Sequence, residues 1–144
     1  MKTLYESWQF WALLSAIFAA LTAIFAKIGV EQVHPDYATF IRTLIVVCVL
    51  ALILAATGNY SAPGEIPTRS WLFLALSGLG TGASWLCYFR ALRFGEAARV
   101  APLDKLSVVL VALFGVIFLG ERLSGVNWLR VALIGAGAVL VAYK

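Results

Sequence analysis

The chain has 144 residues and a formal charge of +4, with 62% hydrophobic and only 12% charged residues, where a soluble domain carries roughly 25% charged. Its 11 Lys and Arg and 7 Asp and Glu are scattered in ones and twos between apolar runs; this excludes the basic stripe of a nucleic-acid binder and reads as a set of membrane topology signals. Most of the chain is therefore dissolved in lipid, and the first question is how many crossings of about 20 apolar helical residues it holds.

Five spans are predicted, at residues 7–27, 37–57, 70–92, 99–119 and 127–143. No charge interrupts the run from Ser7 to Ala26. That run is too long for a typical signal-peptide core, and no small-x-small cleavage pattern closes it before Lys27, so it is read as a retained helix. His34-Pro35-Asp36 introduces the second span, with Asp36 as its N-cap, and only neutral residues follow Arg42 from Thr43 to Ala62. A turn-rich loop holding Pro63, Gly64 and Pro67 leads to the third span, uncharged from Ser70 to Phe89. Gly95 caps that helix, Glu96 favours the start of the fourth, and Gly120, Ser124 and Gly125 mark the turn into the fifth. The expected fold class is all-α: a polytopic membrane protein, one bundle of five transmembrane helices. Cys48 and Cys87 fall inside spans as small buried hydrophobes. With His34 the only histidine, nothing supplies a metal site or a catalytic triad, so no cofactor, no metal and no enzymatic activity are expected.

An odd number of spans puts the termini on opposite sides of the membrane. Lys2, Arg69, Arg122 and Arg130 fall on the side of the N-terminus and Lys27, Arg90, Arg93, Arg99 and Lys144 on the other, four against five, with Arg42 and Lys105 inside spans. So even a count gives only a weak preference for a cytoplasmic C-terminus. Insertion in both orientations would lead to an antiparallel homodimer.

Polar residues inside the spans are the candidate site. On the third span Ser77, Thr81, Ser84 and Tyr88 advance by four, three and four residues and form one narrow stripe. Interhelical hydrogen bonding and the lining of a polar solute path both fit it. Ser15, Ala19, Thr22 and Ala26 share a face of the first span that suits packing, and Gly135-Ala136-Gly137 suggests close backbone approach, with a dimer seam as one use. Lys27, Arg42, Arg90, Asp104 and Lys105 all lie toward one membrane face. At 1.5 Å per residue Arg42 is about 9 Å beyond Asp36 and Asp104 about 7.5 Å beyond Arg99, below the interface but short of the midplane. A charge at the centre of a span costs about 3 kcal/mol on insertion scales and less at this depth, so each of these groups calls for a partner, water or snorkelling. Asp104 and Lys105, adjacent on a helix, point about 100° apart. Asp104 is therefore expected to pair across helices, with Arg42 the first candidate and Lys27 and Arg90 behind it. A structural ion pair, solute or ion binding and snorkelling are the roles open to this layer. Its four cations and one acid favour an anionic or zwitterionic solute group.

At the level of motifs the chain resembles the drug/metabolite transporter superfamily, specifically one EamA-type repeat. The likeness begins with the Ala-rich stretch Ser15 to Lys27 and includes the junction from Ala91-Leu92 to Ala101-Pro102. Its strongest part is Phe118-Leu119-Gly120-Glu121-Arg122-Leu123-Ser124, followed by Trp128 and Ala132-Leu133-Ile134-Gly135-Ala136-Gly137. The resemblance implies a transporter whose usual polypeptide holds two such repeats inserted in opposite orientations, with solute bound between them. A single repeat then implies half of an inverted-repeat transporter, completed by dimerisation and working by alternating access. Asp104-Lys105 after Pro102 departs from the family's general pattern. Glu121 belongs to the motif; at a helix end, where the dipole disfavours a carboxylate, it is expected to find a compensating contact with Arg122, the next helix N-terminus or another loop. The similar four-helix multidrug transporters use an acid within their first helix, but this chain has none between Glu6 and Glu31, so cation-for-proton exchange is not carried over.

The leading expectation is a secondary transporter in the cell membrane for a small polar metabolite or drug-like solute. Asp104 would be its proton-responsive group, Arg42 or Lys105 its anion contact, and Ser77, Thr81, Ser84 and Tyr88 the lining. Lys27, Arg90, Pro102 and Glu121 are structural or gating candidates. The alternative is an accessory or heteromeric membrane subunit, for example of a lipid-linked carrier flippase, that does not transport alone.

Overall fold

The computed structural model describes residues 7–143, which form six α-helices and one 3₁₀ turn with no strand among them. They are α1 (Trp8–Gly29), α2 (Pro35–Thr57), α3 (Thr68–Phe94), α4 (Ala97–Asp104), α5 (Ser107–Leu119) and α6 (Gly125–Ala142), with the 3₁₀ turn at Pro63–Glu65 between α2 and α3. Five helical stretches are long and apolar enough to cross a membrane, the fourth being Ala97–Leu119, which contains both α4 and α5. The outer boundaries of all five lie within two residues of those expected. Lys2 and Lys144, counted for orientation, lie outside the described residues.

Local chemistry sets the ends. Pro35, whose fixed φ suits a first turn, opens α2, and the cap is His34, whose Nδ1 accepts from the Asp36 N–H at 3.4 Å. The expected N-cap Asp36 instead sits in the first turn, where its carboxylate is favoured by the helix dipole and free to reach elsewhere. Ser124 caps α6 by accepting from the Asn127 N–H at 3.3 Å. Gly120, at φ 68°, ends α5 in the left-handed conformation that a side chain would strain, and both its N–H and that of Glu121 turn back to the Gly115 carbonyl.

The fourth span departs most from expectation, because a single helix over 99–119 is replaced by two. Pro102 has no N–H to give to the turn before it. Past it the chain winds more tightly: the Lys105 N–H donates to the Pro102 carbonyl, Leu106 to Leu103, Val108 to Lys105 and Val109 to Leu106, each at 3.0 Å. These are i to i−3 bonds of the 3₁₀ kind, and they separate α4 from α5.

The chain divides into two compact units, one of the residues up to Phe25 with those from Phe94 onward, the other Ala26–Arg93. In the first unit α4 and α5 pack on α6. Gly135 is buried there, and a Cβ on it would stand 3.0 Å from Val109 Cγ2, so α5 and α6 approach closely at this glycine. In the second unit long cationic side chains make the ties between elements, as described below.

Apolar side chains face outward along every span: Leu52 is 70% exposed, Leu79 72% and Leu140 74%. Burial reaches only 6–11% of each span's most apolar stretch, so lipid must cover what the chain leaves bare. The protein is a small polytopic membrane protein. The same surface accounts for the cysteines, which are exposed and free instead of buried as expected.

Candidate functional site: a cation layer and a broken span

The second unit gathers four cations at one end. Arg90 near the end of α3 grips Asp36 in a fork, Nε to Oδ1 at 3.0 Å and Nη2 to Oδ2 at 2.9 Å. Six residues further along α2 and five back along α3, the Arg42 guanidinium lies over the Trp85 ring, 3.5 Å from its centroid. The two pairs share one antiparallel register, so Asp36 and Arg90 mark the membrane face and Arg42 and Trp85 a layer about 7.5–9 Å beneath it. Trp85 is itself held edge-to-face by Tyr88, at 5.5 Å, and by the buried Phe89, at 5.8 Å. Arg93 Nη1 donates to the carbonyls of Val30, at 2.6 Å, and Glu31, and Lys27 Nζ to that of Leu92 at 2.8 Å. The sequence reading missed Asp36, Trp85 and Arg93. A signal for Asp36 was present: the second span starts and the third ends on the same face, which puts Asp36 level with Arg90.

In the first unit the partner of Asp104 is its own neighbour, with Lys105 Nζ 3.4 Å from Asp104 Oδ2. The two were expected to point apart because they were read on one continuous helix. Both charges stand at the break, where α4 ends at Asp104, and the long Lys105 side chain reaches its neighbour's carboxylate. Glu96 and Arg99 pair at 3.3 Å near the start of α4. The Glu121 side chain folds back against Gly115, where its Oε2 stands 2.6 Å from the place a Cβ would occupy. That position, and no ion pair with Arg122 among the described residues, is the contact it finds.

The polar stripe of α3 keeps its spacing, and its first three residues face outward. Ser77, Thr81 and Ser84 are exposed, and Thr81 Oγ1 donates to the Ser77 carbonyl of its own helix at 2.9 Å. Tyr88, half-buried, joins the Trp85 cluster. Between them Gly78, Gly80 and Gly82 face open space. On α1, Thr22 Oγ1 likewise donates to the Phe18 carbonyl at 2.8 Å, while Ala26 is buried. On α6, Gly135 is used for contact within the chain and Gly137 has nothing within 4 Å of a Cβ.

Five apolar spans, the fourth interrupted just past a proline and beside an ion pair, define a multi-pass membrane protein. The profile of the EamA-like transporter family matches residues 6–143, and the chain belongs to that family. It is 69% identical over 137 residues to an uncharacterized transporter in the cobO 3′ region of a Sinorhizobium species, covering 95% of this chain and 97% of that one. It is 26% identical over 135 residues to an uncharacterized transporter, YxxF, of Bacillus subtilis (strain 168), with 93% of this chain aligned to 42% of that protein. A further uncharacterized transporter, of Vibrio cholerae, is 33% identical over 79 residues, 54% of this chain and 26% of its own. No solved structure matches. The protein is accordingly a membrane transporter, embedded in a lipid bilayer.

Proposed function

We propose that the protein is a secondary transporter for a small polar metabolite or drug-like solute, and that its five helices form one half of an inverted-repeat machine completed by a second, antiparallel copy in the cell membrane. The observation that carries this reading is the fourth span, interrupted at Lys105 and Leu106 with a carboxylate and an ammonium at the interruption. Transporters place solute and coupling-ion sites at discontinuous helices, where unwound backbone and helix ends supply polar groups inside the membrane. The lengths of the relatives support a paired arrangement: the match takes in nearly all of the Sinorhizobium protein but under half of the Bacillus one. In alternating access Asp104 exchanges Lys105 for a proton, Arg42 or Lys105 contacts an anionic group of the solute, and Ser77, Thr81, Ser84 and Tyr88 line its path. Lys27, Arg90, Pro102 and Glu121 fix or gate the helix ends.

The orientation of the C-terminus in intact cells tests the arrangement. A single cysteine is added beyond Lys144 in a variant lacking Cys48 and Cys87, which are exposed and would otherwise react. Labelling from both sides of the membrane is the expected result. One-sided labelling with a different chain copurifying would overturn the homodimer in favour of an accessory subunit.

A further inference from the structure

Of the four cations at this end of the unit, Arg42 is the one whose tie to a neighbouring helix, the Trp85 ring, leaves its N–H donors without an acceptor among the described residues. Arg90 has its carboxylate, Arg93 two carbonyls and Lys27 one. Arg42, half-buried within a span, has the Trp85 ring against one face of its guanidinium and no hydrogen-bond acceptor among the described residues. The nearest hydroxyls on its helix are already directed to backbone, Thr39 to the Pro35 carbonyl at 2.9 Å and Thr43 to the Thr39 carbonyl at 2.8 Å. Asp36, the acid on this stretch of α2, is taken by both nitrogens of the Arg90 fork.

The chemistry of a stacked guanidinium makes this arrangement specific. Its five N–H donors lie in the plane of the group, so an aromatic ring on the face attracts the charge while leaving every donor free at the edge. A planar fork of this kind matches the two oxygens of a carboxylate or phosphate, and at this depth a cation without such a partner is costly. Trp85 cannot turn away easily, being braced by Tyr88 and by the buried Phe89. We infer that Arg42, presented edge-outward by Trp85, is a recognition site for an oxyanion, a carboxylate or phosphate group. Where that group belongs to the moved solute, the inference rests on the transport reading above and narrows its substrates to organic anions and zwitterions; where it belongs to a lipid headgroup, it anchors the protein instead. Trp85 is the positioning residue and Arg42 the contact.

The full chain, labelled with ¹⁵N-arginine in maltoside micelles that carry neither phosphate nor carboxylate, provides the test. The Arg42 Nε–Hε resonance is assigned by its loss in Arg42→Lys, and succinate, inorganic phosphate and the neutral isostere succinamide are titrated at constant ionic strength. A saturable shift of the Arg42 signal with either anion, absent with succinamide, is expected, with the Arg90 signal unmoved because its acceptor is already in place. Trp85→Leu should weaken the response about tenfold while leaving the Arg90 signal as it was. Repeating the titration in phosphatidylcholine nanodiscs separates the sources. A signal already shifted and no longer moved by succinate assigns the site to lipid phosphate, and one that still titrates assigns it to a soluble anion. If no arginine side-chain signal of the unsubstituted protein saturates in either setting, or succinamide acts as well as succinate, the oxyanion site is refuted. That failure is distinct from failure of the transport reading, because two-sided labelling of the C-terminus would still stand and point to a neutral solute.

Discussion

The two units differ in what joins their helices. In one, α6 packs against α4 and α5 through small residues, with Gly135 letting the α5 side chains approach to contact distance. In the other, where Val30, Phe89 and Leu92 are buried, the Asp36–Arg90 fork and the Arg42–Trp85 stack bridge α2 and α3, with Lys27 and Arg93 reaching carbonyls nearby. Lipid offers no hydrophobic gain for bringing helices together, so close packing and polar bridges are the two resources left, and the charged bridges between helices fall in the second unit. The difference bears on function. A fork between two helices fixes them, whereas the Asp104–Lys105 pair joins neighbours in the chain and fixes nothing beyond its own turn. A carboxylate that holds no second element can change partners without unfolding the unit that carries it.

The sharpest way to break that contrast is to neutralise each acid. Asp104→Asn should take proton-driven uptake into proteoliposomes to background while solute exchange, expression and thermal stability stay as they were, since no second helix depends on the carboxylate. Equal loss of folding and transport would make the pair structural. Next in size, Pro102→Ala restores the N–H that a regular helix donates to the Ala98 carbonyl, stiffening α4 just before the break at Lys105 and Leu106. A proline in a helix interior costs about 3 kcal/mol, so the variant should gain up to about that much stability in a detergent melt and lose transport, as expected when a break serves movement. A less stable variant would show that the break is imposed by packing against α6. Smaller again, Asp36→Asn and Arg90→Gln should each lower the melting temperature by a similar amount, and the double variant by little more than either, because both remove the same fork. Additive losses in the melts would mean that each side chain has a separate use.

How much of this was legible beforehand follows from which forces act over short sequence distances. Span number and ends were readable because lipid demands about 20 apolar residues and because glycine, proline and serine punctuate locally. Family membership was readable from Phe118 to Ser124 and the residues after it. The break in the fourth span was signalled by Pro102 but not read, since the run around it stays apolar and periodicity alone favours one helix. The pairing of Asp104 with its own neighbour was missed because the reach of the Lys105 side chain was not weighed against the angle between them. Arg42, Arg90 and Lys27 were found because charge in a span is conspicuous, yet their partners depend on the pairing of α2 with α3, which no local pattern states. Trp85 was invisible for the same reason: on an apolar helix an indole that carries a cation looks like any other aromatic.

The glycines of α6 give the finest test of the comparison. Gly135 and Gly137 belong to one short motif and have the same helix propensity, so a purely local account gives Gly135→Ala and Gly137→Ala the same gain, about 1 kcal/mol for replacing glycine by alanine in a helix. The structure separates them. A Cβ at 135 meets Val109 Cγ2 at 3.0 Å and Leu106 Cδ2 at 3.9 Å, so that α5 must give way, whereas a Cβ at 137 meets nothing within 4 Å. Gly137→Ala should therefore keep the propensity gain, and Gly135→Ala should lose it to overpacking and melt lower by about 1–3 kcal/mol, with transport unaffected in both where protein is matched. If Gly137→Ala proves the damaging one, the open side of α6 is covered in the working assembly. The small residues would then serve a seam with a second copy and not the packing of α5 on α6.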